Sequence, residues 1–326
     1  MMKSILMTLL SPDAYTILAA VLLALFSLLV FFLSRLVRRR WLRWLVWAIT
    51  LFFWYVLFYG TFVGFTRLEV RHVEYASADL PAAFDGYRIA FFSDAHVGTL
   101  TGTRRPLLER VVDSINAQHA DVICFVGDLQ NQHPDEIAAA RPLLKRLKAR
   151  DGVYSVLGNH DYAEYSGLTD DYERAMLCEE VCRQEGLLGW RLLLNTHCYI
   201  RRGSDSIVIA GMENDGDGRF PQLGSIPNAL WGVRRSDFIV MLEHDPTSWR
   251  RRILPQCHAQ LTLSGHTHGG HLSLLGLSPA AIRYREYEGL YHVGPRALYV
   301  TKGVGGVVPF RFGTPAEIVV ITLRKR

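Results

Sequence analysis

Two histidines in a glycine-flanked turn are the clearest candidates for chemistry in this sequence. Residues 261–270 read LTLSGHTHGG, in which an apolar run ends at Gly265 and is followed by His266 and His268. Two imidazoles at this spacing after a buried strand suit metal binding, and the glycines let the backbone turn sharply beside a bound group. A His-x-His pair alone is weak evidence, because many such pairs are ordinary turn or surface histidines.

Residues of similar types follow four other apolar stretches. YRIAFFS, DVICFV, VYSVLG and DFIVML each have the pattern of a short buried strand. The residues at or after their ends are Asp94 and His96, Gly127 and Asp128, Asn159, His160 and Asp161, and His244. Ligand sites gather at the carboxyl ends of strands in layered α/β domains. Carboxylate, imidazole and amide donors without a thiolate are the ligand types of a pair of divalent metals.

Predicted strands and helices alternate through the chain beyond residue 80. Helices are expected across 105–118, 134–148 and around 171–184, and further strands at IVIAG, ALYVTKG and AEIVVITL. Apolar strands of this kind are covered on both faces. The pattern therefore favours one layered α/β domain of about 245 residues with a single core.

Two charge-free stretches near the amino terminus, residues 14–33 and 44–66, have 20 and 23 residues. Each is long enough to cross a bilayer core of ~30 Å. Core helices of this length are rarely apolar on every face, and no convincing signal-peptide cleavage site follows either stretch. The sequence therefore predicts a two-helix membrane anchor in residues 1–66, a linker or leading strand in 67–85, and the α/β domain in 86–326.

The net charge of +5 is confined to the predicted anchor. Residues 1–43 carry Lys3 and five arginines against Asp13 alone, so the rest of the chain is neutral. This distribution argues against a nucleic-acid partner. Arginines between two spans mark the cytoplasmic side, so the loop predicts a multi-pass protein of the cytoplasmic membrane with an extracytoplasmic catalytic domain. Arg67 and Arg71, just beyond the second span, favour the opposite orientation.

Together, the strand-exit blocks resemble the calcineurin-like metallophosphoesterase family, whose pattern is DxH, GD, GNH followed by D or E, a lone H, and GHxH. The matching blocks are 94–96, 127–128, 158–161, 244 and 265–268. Residues 80–89 and the glycine-rich segment 303–306 also look like the membrane-anchored or exported bacterial branch of the family. That branch includes enzymes that hydrolyse the pyrophosphate of UDP-2,3-diacylglucosamine in lipid A biosynthesis.

The resemblance implies a four-layer αββα sandwich and two divalent metal ions, for which Mn, Fe, Zn and Co all accept these ligands. It assigns Asp94, His96 and His268 to one metal, Asn159, His244 and His266 to the other, and Asp128 to both. In this scheme His160 binds no metal and acts on the phosphoryl group or its leaving oxygen. Asp161 would fix the tautomer of His160.

The implied function is two-metal hydrolysis of a phosphodiester or pyrophosphate bond, in a membrane lipid or a lipid-linked substrate such as UDP-2,3-diacylglucosamine. The alternatives are a general phosphodiesterase or phosphatase of the cell envelope and a catalytically silent binding domain. The full set of motif residues favours an enzyme. A nucleotide-linked lipid is made on the cytoplasmic side, which conflicts with an outward-facing domain.

Three features leave alternatives open. His271 stands where the closest branch would have glutamine, and it either reaches the substrate or lies at the surface. The acidic segment 213–217 lacks the closing glutamate of a calcium loop. Residues 272–291 are rich in apolar and aromatic residues, and they form either an acyl-binding lip or a covered core segment.

Overall fold

The computed structural model describes residues 12–326, so residues 1–11 of the predicted anchor lie outside the described part of the chain. Two apolar helices come first, α1 (Pro12–Ser34) and α2 (Arg40–Phe62). Both are long and apolar enough to span a membrane, and only 6% and 11% of the residues in their most apolar stretches are buried. This exposure is unlike that of a core helix in a soluble domain.

The two helices form a hairpin whose open end meets the folded domain. Trp54 Nε1 donates a hydrogen bond to Ser27 Oγ (3.0 Å) between the helices. Asp13, at the start of α1, forms an ion pair with Arg104 (2.6 Å) of the domain. The arginine-rich loop that joins the helices therefore lies at the end of the hairpin away from the domain.

The folded domain contains two six-stranded sheets. In spatial order, sheet 1 consists of β1 (Leu68–Ser77), β12 (Ala316–Lys325), β2 (Arg88–Phe92), β3 (Val122–Val126), β4 (Val153–Val156) and β5 (Arg191–Leu192). Sheet 2 consists of β10 (Gly289–Val293), β11 (Arg296–Val300), β9 (Leu261–Ser264), β8 (Phe238–Leu242), β7 (Asp205–Gly211) and β6 (Thr196–Arg202). Strands β2 to β5 run parallel, as do β11, β9, β8 and β7. The predicted mixed α/β fold is confirmed.

Three buried apolar clusters hold these elements together. One lies between the sheets and includes Phe91, Val240 and Tyr299. A second joins sheet 1 to α3 (Arg105–Ala117), α4 (Asp135–Leu144) and α5 (Asp171–Leu188). The third covers the other face of sheet 2 and includes residues of α6 (Ile226–Ala229) and the helical segment Trp249–Ile253. Two further short helices are α7 (Leu254–Gln256) and α8 (Ala280–Arg283).

The segment predicted as a linker or leading strand contains β1. All ten residues of β1 pair with β12 in parallel, from Leu68 opposite Ala316 to Ser77 opposite Lys325. This pairing joins the two ends of the domain. The alternation of polar and apolar residues in β1 predicts a strand but not its distant partner. The segment therefore contributes an edge strand of sheet 1.

Candidate metal centre

Two groups of buried side chains lie at the carboxyl ends of β2, β3, β8 and β9. The first contains Asp94, His96, Asp128 and His268, and the second contains Asp128, His244 and His266. Within each group, the potential ligand atoms lie within 4.8 Å of one another. Because Asp128 belongs to both groups, its carboxylate is placed where it could bridge two cations.

Asp128 contacts a histidine of each ligand group. Its Oδ2 lies 3.2 Å from His244 Nε2 and 3.6 Å from His96 Nε2. At the first group, His268 Nε2 lies 3.4 Å from Asp94 Oδ1. Beside the second group, Asn159 Oδ1 lies 2.8 Å from His266 Nδ1. The structure thus brings together all seven side chains that the sequence analysis assigned to metal binding.

The backbone around these side chains is strained. Asp94, His96, Asp128, His266 and His268 have φ angles of 51°, 39°, 60°, 72° and 53°. Residues other than glycine rarely adopt this left-handed region, at a cost of about 1–3 kcal/mol each, and such residues cluster at functional sites. With these φ angles, the side chains of three separate loops point into one small volume at the edge of the sheets.

Two motif glycines allow this close packing. A Cβ atom at Gly158 would contact the Asp128 carboxylate, and one at Gly265 would contact Ser93 and the Asp94 carboxylate. Any larger residue at these positions would displace an acidic side chain of the site. The glycines of the GNH and GHxH blocks are therefore required by the space around the carboxylates.

Burial sets the protonation of the site. It lowers the pKa of His96 and His268 well below the usual range, so both imidazoles are neutral and have a lone pair to offer. Burial also raises the pKa of Asp94, to about 6. For Asp128, burial raises the pKa but the neighbouring His244 and His160 outweigh it, so the net shift is downward. The shared carboxylate is therefore held in its charged form.

Several buried polar atoms of the site have no hydrogen-bond partner among the described residues, as is typical of a site that binds cations. Both ring nitrogens of His96, Nε2 of His244, Nδ1 of His268 and Oδ2 of Asp245 are buried without a hydrogen-bond partner in the described part of the chain. Buried polar atoms of this kind are costly unless something else satisfies them. His244 Nδ1 donates to Val126 O (2.7 Å), which leaves Nε2 directed toward Asp128. Divalent cations are partners of the type that imidazole nitrogens and carboxylate oxygens bind.

His160 lies beside the first ligand group but belongs to neither group. Its ring packs edge-on against His96 (centroids 4.6 Å apart) and is stacked on Tyr165 (4.0 Å). Its Nδ1 lies 2.7 Å from Asn131 O. Because a carbonyl oxygen only accepts, Nδ1 carries a proton, and Nε2 is the ring atom that can exchange a proton with a substrate.

The expected role of Asp161 is corrected by the structure. Asn131 O, not Asp161, contacts the His160 ring and fixes its tautomer. The Asp161 carboxylate accepts hydrogen bonds from the backbone N–H groups of Gly158, Asp128, Leu129 and Gln130 (2.8–3.1 Å for the closest oxygen of each). Asp161 therefore ties the loop after β4 to the loop after β3, and it positions Asp128.

The structure adds residues that the sequence analysis did not single out. Tyr284 Oη lies 3.0 Å and Asp245 Oδ2 lies 3.5 Å from His266 Nε2. Asp245 directly follows His244, so its position beside a predicted ligand was a usable signal. Tyr165 and Tyr284 lie in irregular segments, where no periodicity points to the site.

Two ambiguous features are explained by their contacts. His271 is half-buried, with its ring stacked on His268 (centroids 4.5 Å apart) and Nδ1 3.1 Å from Phe310 O. It is therefore not a surface histidine. In the acidic segment, the buried Asp215 is paired with Arg251 (2.8 Å) and Arg252 (3.4 Å), so its charge is neutralised by arginines.

Comparison with known proteins agrees with this geometry. Residues 87–270 match the family model described as calcineurin-like phosphoesterase. A zebrafish (Danio rerio) "transmembrane protein with metallophosphoesterase domain" is 32% identical over 266 residues, which cover 79% of this chain and 57% of the relative. The uncharacterized metallophosphoesterase YkuE of Bacillus subtilis is 30% identical over 283 residues, which cover 82% of this chain and 89% of the relative.

An uncharacterized metallophosphoesterase of Aquifex aeolicus is 27% identical over 265 residues, which cover 80% of this chain and 92% of the relative. The match to the family model covers the four strand exits that hold the ligand groups. This chain belongs to the calcineurin-like phosphoesterase family.

Proposed function

We propose that this protein is a two-metal-dependent hydrolase of phosphodiester or pyrophosphate bonds. The observation that carries the proposal is the pair of buried ligand groups that share the Asp128 carboxylate. A catalytically silent relative would be expected to lack one of these side chains or His160, and this chain has all of them. The family relationship supports the same reaction class.

Each side chain has a distinct task in this proposal. One cation would be held by Asp94, His96 and His268, the other by Asn159, His244 and His266, with Asp128 binding both. When bound, the cations supply positive charge to the phosphoryl oxygens and lower the pKa of water enough to make it a nucleophile at neutral pH. In its imidazolium form, with protons on both ring nitrogens, His160 stabilises the charge that develops on the phosphoryl group or gives its Nε2 proton to the leaving oxygen.

We further propose that the domain is a four-layer αββα sandwich in residues 86–326 with β1 added at one edge. The proposal is supported by the three apolar clusters, two on the outer faces of the sheets and one between them. The helices α1 and α2 would form its membrane anchor. Their apolar surfaces, and the zebrafish relative described as a transmembrane protein, support this assignment.

An anchored active site favours a substrate that is itself in the membrane. We propose a phospholipid or a lipid-linked pyrophosphate, with UDP-2,3-diacylglucosamine as one candidate. A general phosphodiesterase or phosphatase of the cell envelope is the second candidate, because the metal centre itself selects only the phosphoryl group.

A turnover screen of the detergent-purified, full-length protein with Mn tests these proposals. The substrates are UDP-2,3-diacylglucosamine, a phospholipid, a polyprenyl pyrophosphate and a soluble aryl phosphodiester. We expect at least one lipid substrate to be hydrolysed faster than the soluble ester. Hydrolysis of the soluble ester alone would support the general phosphodiesterase, and no hydrolysis of any ester would contradict the proposed function.

We propose that the arginine-rich loop, which contains Arg35, Arg38 and Arg39, is cytoplasmic and that the domain lies on the opposite side of the membrane. A reporter enzyme fused after Arg326 measures this orientation. An alkaline phosphatase fusion, which folds only outside the cytoplasm, should be active, and a green fluorescent protein fusion should be dark. The reverse pattern would place the domain in the cytoplasm, where a nucleotide-linked lipid is available.

A further inference from the structure

An apolar hairpin projects from the domain next to the metal centre. It consists of residues 274–277, in which Leu275 is 94% exposed and Leu277 is 77% exposed. Ile282, five residues further on in α8, is 91% exposed. Leu275, Leu277 and Ile282 are thus three highly exposed apolar side chains within eight consecutive residues, which favours an interaction surface over single exposed residues.

The backbone of the apolar hairpin is fixed and strained. Leu274 and Leu277 exchange two backbone hydrogen bonds (3.0 and 2.9 Å), which close a two-residue turn. That turn places Leu275 at a φ of 53°, where asparagine or glycine is usual and a bulky side chain is disfavoured. An exposed leucine at a strained position indicates a functional requirement for an apolar tip.

The apolar hairpin is attached to the metal-binding turn on one side. Ser278 Oγ donates to Gly269 O (2.7 Å), and Gly269 directly follows the ligand His268. His271, which begins the segment leading into the hairpin, is stacked on His268 (centroids 4.5 Å apart). A movement of the hairpin would therefore be transmitted to the metal centre.

On its other side, the apolar hairpin is attached to the candidate membrane helix α2. Ser273 N donates to Phe312 O (2.7 Å), and Phe312 N donates to His271 O (2.9 Å). The Phe312 ring packs edge-on against Tyr59 (centroids 5.6 Å apart) and Tyr55 (6.2 Å) of α2. The base of the hairpin is thus connected through Phe312 to the last two turns of α2.

This attachment fixes the depth of the hairpin base relative to α2. At a rise of 1.5 Å per residue, Tyr55 lies about 10 Å from the end of α2 at Phe62. Phe312 therefore lies alongside the part of α2 that would pass through the boundary between lipid and water. The side chains of Tyr55, Phe58 and Phe62 are themselves mostly exposed, which suits this boundary.

We infer that the apolar hairpin and Ile282 insert into the membrane leaflet that surrounds the carboxyl-terminal end of α2, so that the metal centre takes phosphoesters carried by lipids in that leaflet. Leu275 and Leu277 bury their side chains among the acyl chains near the headgroups. The inference rests on the proposed function for its substrate class, and on the contacts with α2 for its membrane contact.

Photolabelling in lipid vesicles tests the membrane contact directly. The full-length protein is reconstituted into phosphatidylcholine vesicles that contain a diazirine-bearing phosphatidylcholine, irradiated, and digested for mass spectrometry. We expect label on peptides from α1 and α2 and on the peptide that contains residues 274–282. The peptide that contains Leu187 (38% exposed), at the carboxyl-terminal end of α5, should remain unlabelled. The chain enters β5 there, at the edge of sheet 1 opposite the metal centre.

Paired variants sharpen this test. Leu275→Ser combined with Leu277→Ser should reduce label on the 274–282 peptide at least about tenfold and lower the ratio of lipid-ester to soluble-ester turnover. The control, Leu187→Ser, should leave both unchanged, because Leu187 is exposed at the opposite edge of sheet 1. Unlabelled hairpin peptides in the wild-type protein would overturn the inference, as would crosslinks showing that residues 1–11 or a second copy of this chain cover the hairpin.

The two proposals fail in distinguishable ways. If the vesicle-bound protein hydrolyses an aryl phosphodiester with Mn but its hairpin is unlabelled, the inference is wrong and the proposed function stands. If the hairpin is labelled but no ester is hydrolysed, the proposed function and the substrate class are wrong, while the membrane contact stands.

Discussion

Replacing Asp128 with asparagine should reduce kcat/KM for phosphoester hydrolysis roughly 10³-fold or more. The substitution keeps the shape of the side chain and an oxygen that can accept the hydrogen bond from His160 N (2.8 Å). It removes the charge that both ligand groups share. Metal ions contribute several kcal/mol to transition-state stabilisation, and each 1.36 kcal/mol corresponds to a factor of ten in rate.

His268→Ala is the matched comparison for Asp128→Asn, because His268 belongs to the first ligand group only. It should weaken one metal position and reduce turnover less than Asp128→Asn does. Assays of both variants across a range of Mn concentrations separate weak metal binding from lost chemistry. A smaller loss in Asp128→Asn than in His268→Ala would show that Asp128 does not bridge two cations.

Replacing His160 with alanine should reduce turnover by about 10²- to 10⁴-fold while both metals remain bound, since this is the usual effect of removing a positioned acid or base. The expectation follows from the geometry, because Asn131 O fixes Nδ1 and Tyr165 stacks on the ring. His72→Ala, at an exposed position on β1, is the control and should be fully active.

Metal analysis of the purified His160→Ala protein separates the possible roles of this residue. Two metals per chain with low turnover would agree with action on the substrate. Loss of metal together with turnover would show that His160 is a ligand, and the assignment of tasks in the site would be wrong.

The positions of the metal-ligand candidates could be predicted because they depend on short stretches of sequence. Asp94, Asp128, His244 and His266 each come two residues after the end of a buried strand, and the carboxyl ends of parallel strands lie at one edge of a sheet. Glycines beside them signal close backbone approach. The two apolar helices could also be predicted, since a charge-free stretch of their length is rarely anything but a helix long enough to span a membrane.

The rest of the site depends on contacts between distant parts of the chain. Asp161 and His160 are neighbours in sequence, yet the carboxylate turns to the backbone of 128–130 and the ring turns to Asn131 O. These hydrogen bonds depend on which loop lies nearby in the fold and on the cost of leaving buried N–H groups unpaired. Tyr284, 3.0 Å from His266, has no sequence signal for the same reason.

The position of the segment 272–291 also could not be predicted from its sequence. Its composition was compatible with a covered core or with a lip, because both are apolar. Only the structure shows that Leu275 and Ile282 are exposed and that Phe312 connects this segment to α2.

Elemental analysis of the wild-type and Asp128→Asn proteins, combined with turnover before and after chelation, tests the two-metal centre most directly. We predict two divalent metal ions per wild-type chain, complete loss of hydrolysis after dialysis against a strong chelator, and recovery when Mn is added. Asp128→Asn should bind fewer metals and should not recover under the same conditions. Full hydrolysis by the metal-free wild-type protein, or by Asp128→Asn, would contradict the two-metal mechanism.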